Sequence, residues 1–137
     1  MPNYWLLKTE PSAYSYDRLE RDGRAVWDGV KNPVALKNLR AMQPGDAALI
    51  YHTGDEKAAV GVAEIVTAAY PDPKGKDPKL VVVDLKPAGR LPRPVPLAAI
   101  KADSAFQDHP LVRVGRLSVV SLSALQWKKL LALGGRP

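Results

Sequence analysis

One tryptophan lies in a stretch whose residues repeat with neither a helical nor a strand period. Trp27 is followed by Asp28, Gly29 and Val30, and then by the polar pair Lys31–Asn32. A large aromatic side chain usually belongs to a periodic apolar face, because burial of its ring stabilises the core. An indole held in a loop can instead form one wall of a pocket for a flat ligand. The local sequence therefore predicts a site for an aromatic ligand, with a nucleobase as the leading candidate.

Polar side chains at two other positions offer hydrogen bonds to such a ligand. Lys8 and Thr9 end the first apolar run, just before Glu10-Pro11. Their ammonium and hydroxyl groups can bind a base edge or a phosphate, although ordinary strand-end polarity explains them equally well. Asn32 can pair with a base edge through two hydrogen bonds. An asparagine before proline is also a common turn residue.

The two histidines have different surroundings. His52 ends the apolar run that starts at Ala47, and a hydrogen-bonded structural histidine is the simpler interpretation there. The functional alternative is that Tyr51 and His52 line the same mouth as Trp27. His109 precedes Pro110 in a polar segment, which predicts a surface loop. Neither histidine has a neighbour at metal-ligand spacing, so no metal site is predicted.

Catalytic motifs give little support for an enzyme. The sequence has no nucleophile elbow, P-loop or dinucleotide fingerprint. We therefore predict no catalytic residue and no cofactor. One alternative is an enzyme acting on a nucleotide or modified base, with Glu10, Asp28 or His52 as acid–base groups. Another is a pocket for a small aromatic metabolite without nucleic acid.

Positive charge is concentrated in the second half of the chain. The 137 residues carry a net charge of +6. Residues 1–70 hold 8 Lys and Arg against 9 Asp and Glu, whereas residues 71–137 hold 12 against 5. A basic half favours an anionic partner, and nucleic-acid phosphates are the commonest. Simple solubility explains the same charge equally well.

The pattern of elements predicts an α+β fold. Strands are expected at Tyr4–Lys8, Ala47–His52, Ala59–Ala69, Leu80–Leu85 and Leu117–Val120, with Pro87–Pro96 extended. Helices are expected after the Ser15 cap with an end at Gly23, from Pro33, and at Ala124–Leu133 after the Ser123 cap. Pro71–Pro78 is expected to be a solvated loop. A small mixed β-barrel of five to six strands with peripheral helices matches this order best, and its mouth offers a ligand cleft.

Length and composition favour one cytoplasmic domain over residues 1–137. The chain is long enough to bury a core without metal or disulfide. It has no cysteine, which fits a reducing compartment. No signal-peptide pattern or apolar run of membrane-spanning length is present, so no membrane partner is expected.

Six segments, taken in order, resemble the EVE domain family, a branch of the PUA-like superfamily related to YTH domains. The matching segments are Tyr4-Trp5-Leu6-Leu7-Lys8-Thr9-Glu10-Pro11, Trp27-Asp28-Gly29-Val30-Lys31-Asn32, Met42-Gln43-Pro44-Gly45-Asp46, Tyr51-His52-Thr53-Gly54, Val60-Gly61-Val62-Ala63-Glu64-Ile65-Val66 and Arg116-Leu117-Ser118-Val119. In this family serine often stands where Thr9 and Thr53 stand, arginine where Lys31 stands, and asparagine where Gly54 stands. The glycine removes a side chain that could contact a ligand.

The resemblance implies a PUA-like barrel and a non-catalytic pocket that recognises a modified base in RNA or DNA. It implies that the ligand-binding residues converge on one site: Lys8, Thr9, Trp27, Val30, Asn32, Tyr51 and His52. The expected contacts to the nucleic-acid backbone are Lys31, Arg113 and Arg116.

Overall fold

The computed structural model describes residues 3–75 and 77–136, so Lys76 of the predicted Pro71–Pro78 loop lies outside the described residues. The strands in this part of the chain are β1 (Tyr4–Thr9), β2 (Ala25–Trp27), β3 (Ala47–His52), β4 (Ala58–Ile65), β5 (Tyr70–Pro71), β6 (Val81–Pro96) and β7 (Val119–Leu122). The helices are α1 (Tyr16–Asp22), α2 (Pro33–Ala41), α3 (Leu97–Ala102), α4 (Pro110–Arg113) and α5 (Ala124–Leu133), with a 3-10 turn at Ser104–Phe106.

The strands form one mixed, curled sheet, which confirms the predicted fold class. The strand order is β2-β6-β4-β3-β1-β7, and β5 pairs with the start of β6. Within the described residues no ladder joins β2 to β7, so the curl stays open along that side. The sheet has one more strand than the five to six predicted, because β2 and β5 are too short to show a period in the sequence.

The parallel pairing of β1 with β3 controls which polar residues become neighbours. Its register places Lys8 beside Tyr51 and Thr9 beside His52. The carboxyl ends of the two strands therefore meet at one edge of the sheet, although 42 positions separate them in the sequence. All other strand pairs in the described chain are antiparallel.

The proline-rich segment continues the strand before it. β6 runs for 16 residues, through Pro87, Pro92, Pro94 and Pro96. It pairs with β4, and the register shifts between Ala59 and Gly61 and again between Val62 and Ala63. These irregularities accommodate residues that cannot donate to a ladder. The prediction of an extended, non-helical segment is confirmed.

Capping residues set the helix ends as the sequence predicted. The Ser15 side chain accepts from the Arg18 N–H at the start of α1, and Gly23 ends that helix with φ 74°. Ser123 and Gln126 form a reciprocal capping box before α5.

Several details of the element prediction were wrong. Pro71, the first residue of the predicted loop, is the last residue of β5. β4 ends at Ile65 and not at Ala69. The last strand runs from Val119 to Leu122 and not from Leu117 to Val120. His109 is buried rather than in a surface loop, since it caps α4 by accepting from the Leu111 N–H and its Nε2–H donates to the Ser121 carbonyl at 2.8 Å.

Trp5 and Trp127 are buried in the core and have structural partners there. The Trp5 indole donates to Asp46 Oδ2 at 2.9 Å, and this buried carboxylate also accepts from the backbone N–H groups of Asn3 and Gln43. Trp127 stacks on Tyr4 with ring centroids 4.8 Å apart. Both rings therefore have structural partners away from the end of β1.

Candidate functional site

An open cleft of about 480 Å³ lies where β1 and β2 end. We call it the Trp27 cleft. It combines aromatic, apolar, basic and acidic side chains, and it is lined by Lys8, Thr9, Glu10, Ala13, Tyr14, Arg18, Val26, Trp27, Asp28, Gly29, Val30 and Ser118. Its volume is within the range of roughly 300–1,000 Å³ that is typical of small-ligand sites.

Trp27 forms the aromatic wall of this cleft from the end of a strand. The prediction of a loop was wrong, since Trp27 is the last residue of β2 and pairs with Val83 of β6. Three strand residues are too few to produce an alternating pattern, so the strand could not be predicted from the sequence. The ring is 7% exposed and packs into the core, while it also borders the cleft.

Tyr14 stands beside Trp27 as a second aromatic group. The two rings meet edge to face at 85°, with centroids 6.2 Å apart. The Tyr14 hydroxyl donates to Asp22 Oδ2 at 2.9 Å. Desolvation, followed by the effect of Asp22, raises the pKa of Tyr14 to about 12, so the phenol is neutral at ordinary pH. The Arg18 guanidinium lies 5.1 Å from the centroid of the same ring.

Tyr14 and Arg18 line the cleft but were not among the site residues predicted from the sequence. A usable signal was present, because Tyr14 directly precedes the Ser15 helix cap and Arg18 follows one helical turn later. An aromatic residue at that position is held by the start of the helix and not by a strand period. The same reasoning could have placed both residues on one side of a site.

The end of β1 forms the floor of the cleft. The Thr9 hydroxyl donates to the Tyr14 carbonyl at 2.8 Å, which ties the aromatic wall to the strand. Val30 is buried and adds an apolar surface. The structure thus brings together Lys8, Thr9, Trp27 and Val30 of the predicted ligand-binding set. Their role in binding stays a prediction.

The other three predicted ligand-binding residues lie elsewhere. The side-chain oxygen Oδ1 of Asn32 caps α2 by accepting from the backbone N–H groups of Val34 and Ala35 at 2.8 and 3.1 Å, so the structural role is the observed one. His52 is buried, accepts from the Tyr16 N–H at 3.0 Å, and contacts Glu56 through Nδ1 at 2.7 Å. Neither residue lines the Trp27 cleft.

Tyr51 borders a different cavity. It is 3% exposed and lies in the floor of a smaller cleft of about 220 Å³. We call this the lysine cleft. It is lined by Lys8, Tyr51, Thr53, Gly54, Lys57, Leu97, Lys101, Leu111, Val112 and Gly115. Lys8 lines both clefts and forms the wall between them.

The three residues predicted to contact the nucleic-acid backbone differ in whether their side chains are already bound to other protein groups. Lys31 is exposed and directly follows Val30, which lines the Trp27 cleft. Arg113 is engaged, since it pairs with Asp108 at 2.8 Å and donates to the Gln107 carbonyl. Arg116 is exposed and, among the described residues, has no ion-pair partner. It lies between Gly115 of the lysine cleft and Ser118 of the Trp27 cleft.

Two carboxylates also face the Trp27 cleft. Glu10 Oε2 accepts from the Ser12 amide at 2.9 Å and from the Ser12 hydroxyl. Asp28 follows Trp27 directly and is exposed. With Lys8 and Arg18, they give the cleft two acidic and two basic side chains. Carboxylates accept hydrogen bonds from exocyclic amines such as N4 of cytosine.

Residues 3–75 and 77–136 contain neither a cluster of three potential metal ligands nor a helix of a length and apolarity that could cross a membrane.

A curled mixed sheet with a cleft at the end of its parallel pair defines a PUA-like ligand-binding domain. The profile of the EVE domain matches residues 3–133, and the chain belongs to the EVE domain family.

Relatives and solved structures agree with this assignment. A Rhodopseudomonas palustris protein solved by NMR superposes with a TM-score of 0.91 at 42% identity, over 97% of this chain and 93% of its own. Human THYN1, crystallised in complex with DNA containing 5-methylcytosine, gives a TM-score of 0.89 at 28% identity, over 98% and 99%. Mouse thymocyte nuclear protein 1 is 34% identical over 74% of this chain. The chain spans 56% of the length of that mouse relative.

Proposed function

We propose that this chain binds nucleic acid that carries a modified base, without catalysis, and that the base enters the Trp27 cleft. The observation that carries this proposal is the cleft itself, with an indole wall, a neighbouring neutral tyrosine, two acidic side chains and two basic ones. The complex of human THYN1 with 5-methylcytosine DNA supports it and makes that DNA the first ligand to test. Binding of modified RNA remains a second case of the same function.

The proposed binding mode has three contributions. A base that leaves its stack costs a few kcal/mol. Stacking on Trp27 returns roughly 1–3 kcal/mol. The Asp28 and Glu10 carboxylates can accept from the base edge, and Thr9 and Ser118 offer hydroxyl groups at the same edge.

Apolar side chains can accommodate a methyl group on the base. Ala13, Val26 and Val30 line the cleft together with Trp27. Burial of one methyl contributes on the order of 0.8 kcal/mol, which is a few-fold preference. The proposal therefore predicts modest discrimination between methylated and plain cytosine unless an additional contact is lost with the plain base.

The surroundings of His52 favour binding over the acid–base enzyme considered from the sequence. Both of its ring nitrogens have protein partners, and it lies outside the Trp27 cleft. Of the three groups named for that mechanism, only Glu10 and Asp28 face the cleft.

We further infer that residues 1–137 act as one domain in the cytoplasm, which cell fractionation tests.

The test measures the affinity of short oligonucleotides that differ in one 5-methylcytosine. Trp27→Leu should weaken binding by about 5- to 150-fold, which corresponds to the loss of one stacked base. Trp127→Leu is the matched control, because Trp127 is 8% exposed and stacks on Tyr4 away from the cleft. Each variant is used below its unfolding temperature. Equal affinity of the two variants, or turnover of the modified base, would contradict the proposal.

A further inference from the structure

The lysine cleft differs from the Trp27 cleft in its charge. Three of its ten lining residues are lysines, Lys8, Lys57 and Lys101, and no aspartate or glutamate is among the ten. Within residues 3–75 and 77–136 none of these three ammonium groups belongs to an ion pair. The Glu10 carboxylate lies close to Gly54 but forms no ion pair with these lysines in the described residues. The like charges of the three ammonium groups repel one another, so the cleft favours an anion.

The position of Lys57 is fixed by the backbone of the hairpin between β3 and β4. Among the described residues it is the one non-glycine residue with a positive φ, 47°. This conformation costs about 1–2 kcal/mol for a residue with a Cβ. The Lys57 carbonyl accepts from the Leu97 N–H at 2.8 Å, which ties the hairpin to the start of α3. Such local strain is typical of positions that serve a site.

Lys8 is held at the boundary of the two clefts. Its Nζ donates to the Gly115 carbonyl at 3.1 Å and lies 5.6 Å from the centroid of the Tyr51 ring. Burial lowers the pKa of Lys8 from its usual value. An ammonium with only one carbonyl partner keeps donors for a further acceptor.

The size of the lysine cleft selects among anions. At about 220 Å³ it is below the roughly 300 Å³ at which typical small-ligand sites begin. It is therefore suited to a compact anionic group and not to a second base. The two clefts are adjacent, because Lys8 lines both of them.

We propose that the lysine cleft binds the phosphodiester backbone of the strand whose base occupies the Trp27 cleft, with Lys8, Lys57 and Lys101 as its ligands. This inference rests on the proposed function, because the occupant is the same strand. It assigns the two clefts different roles. The Trp27 cleft selects the base, and the lysine cleft holds the chain beside it without regard to base identity.

The experiment compares the double variant Lys57→Gln/Lys101→Gln with the charge-matched control Lys37→Gln/Lys128→Gln. Both control lysines are exposed on helices α2 and α5 and line neither cleft. Lys8 stays unchanged because it also lines the Trp27 cleft. The ligands are single-stranded oligonucleotides with and without one 5-methylcytosine, titrated from about 0.1 M to about 1 M salt.

Log affinity falls as log salt rises. In the cleft variant this fall should be less steep by about 1.4, which is the contribution of two phosphate contacts to a single strand. That slope corresponds to roughly 25-fold weaker binding in about 0.1 M salt and almost none in about 1 M salt. Methylated and plain strands should lose affinity by the same factor. The control variant should retain a slope close to that of the wild type.

Failures of the two proposals give different results. If the cleft variant keeps the slope of the wild type, or if the control lowers it equally, the lysine cleft does not bind the backbone. If the slope falls as expected but Trp27→Leu leaves strand affinity unchanged, the phosphate site stands and the base site does not. Binding lost for methylated strands alone would also overturn the assignment, because it would make the lysines part of base selection.

Discussion

The Trp27 cleft and the lysine cleft meet at one side chain, Lys8, yet they are built in different ways. The walls of the Trp27 cleft also help to hold the protein together. Its indole is 7% exposed, and the Thr9 hydroxyl donates a hydrogen bond to the Tyr14 carbonyl. The three lysines of the lysine cleft form no ion pair within the part of the chain that the structure describes. Substitutions in the first should therefore change stability and selectivity together. Substitutions in the second should change salt-dependent affinity alone.

The largest expected effect comes from removing the indole. Trp27→Ala should lower the free energy of unfolding by about 3–5 kcal/mol, because it opens a cavity beside the core. Lys57→Gln/Lys101→Gln should stay within about 0.5 kcal/mol of the wild type, because both side chains are exposed. Urea unfolding measures both. Similar losses in the two variants would remove the proposed difference between the clefts.

His52 tests whether a buried residue beside the clefts belongs to either of them. His52→Leu leaves the Tyr16 N–H without its acceptor, which should cost about 1–3 kcal/mol of stability. Oligonucleotide affinity should not change, because His52 lines neither cleft. The two quantities are measured on the same sample by urea unfolding and by titration at a temperature where the variant is folded. Weaker binding by the folded variant would restore His52 as a ligand-binding residue.

His109 should make the stability of the protein depend on pH. Desolvation lowers the pKa of His109, its bond to the Ser121 carbonyl opposes this, and the charge of Lys8 adds to it. A histidine whose pKa is lowered on folding is protonated more readily in the unfolded chain. Its contribution to stability is therefore complete above the unfolded pKa of about 6.5 and is lost as the pH falls through the lower, folded value.

Protonation at Nδ1 would also remove the acceptor for the Leu111 N–H. Unfolding free energies measured at several pH values between about 7 and 5 should fall more steeply for the wild type than for His109→Asn. The asparagine variant is less stable throughout but lacks the titrating group. Parallel curves would show that His109 does not cause the pH dependence.

Lys57→Gly should have only a small effect on stability. Glycine relieves the cost of the positive φ but adds conformational freedom to the unfolded chain, so the net change should be below about 1 kcal/mol. The affinity for the oligonucleotide should still fall, and the salt slope should decrease by about 0.7. Calorimetric unfolding and salt titration together check this separation. Retention of the full slope would exclude Lys57 from the phosphate site.

Local signals explain which parts of the fold the sequence could predict. Ser15, Ser123 and Gly23 act within a few residues of themselves, so the helix ends they set were predictable. The extended proline segment was also predictable because proline excludes a helix there. β2 was hidden because three residues do not reveal an alternation.

The composition of the site depends on contacts that no local pattern contains. Tyr51 and Thr9 belong to neighbouring strands, but the parallel register and the burial of β3 direct them to different surroundings. The contact between Tyr14 and Trp27 joins the residue before the Ser15 cap to the end of β2. Lys57 and Lys101 become neighbours through the bond between the β3–β4 hairpin and α3. Residue types alone could therefore suggest Trp27 and Lys8, while the lysine cleft required the structure.

The most direct test observes the three tryptophan indole N–H signals by NMR during titration with an oligonucleotide containing 5-methylcytosine. Trp5 is bonded to Asp46 and Trp127 is stacked on Tyr4, so these two signals serve as internal references. Binding in the Trp27 cleft predicts a large shift of the Trp27 signal that saturates with bound ligand, while the other two change little. Saturation of binding with the Trp27 signal unmoved would contradict the account.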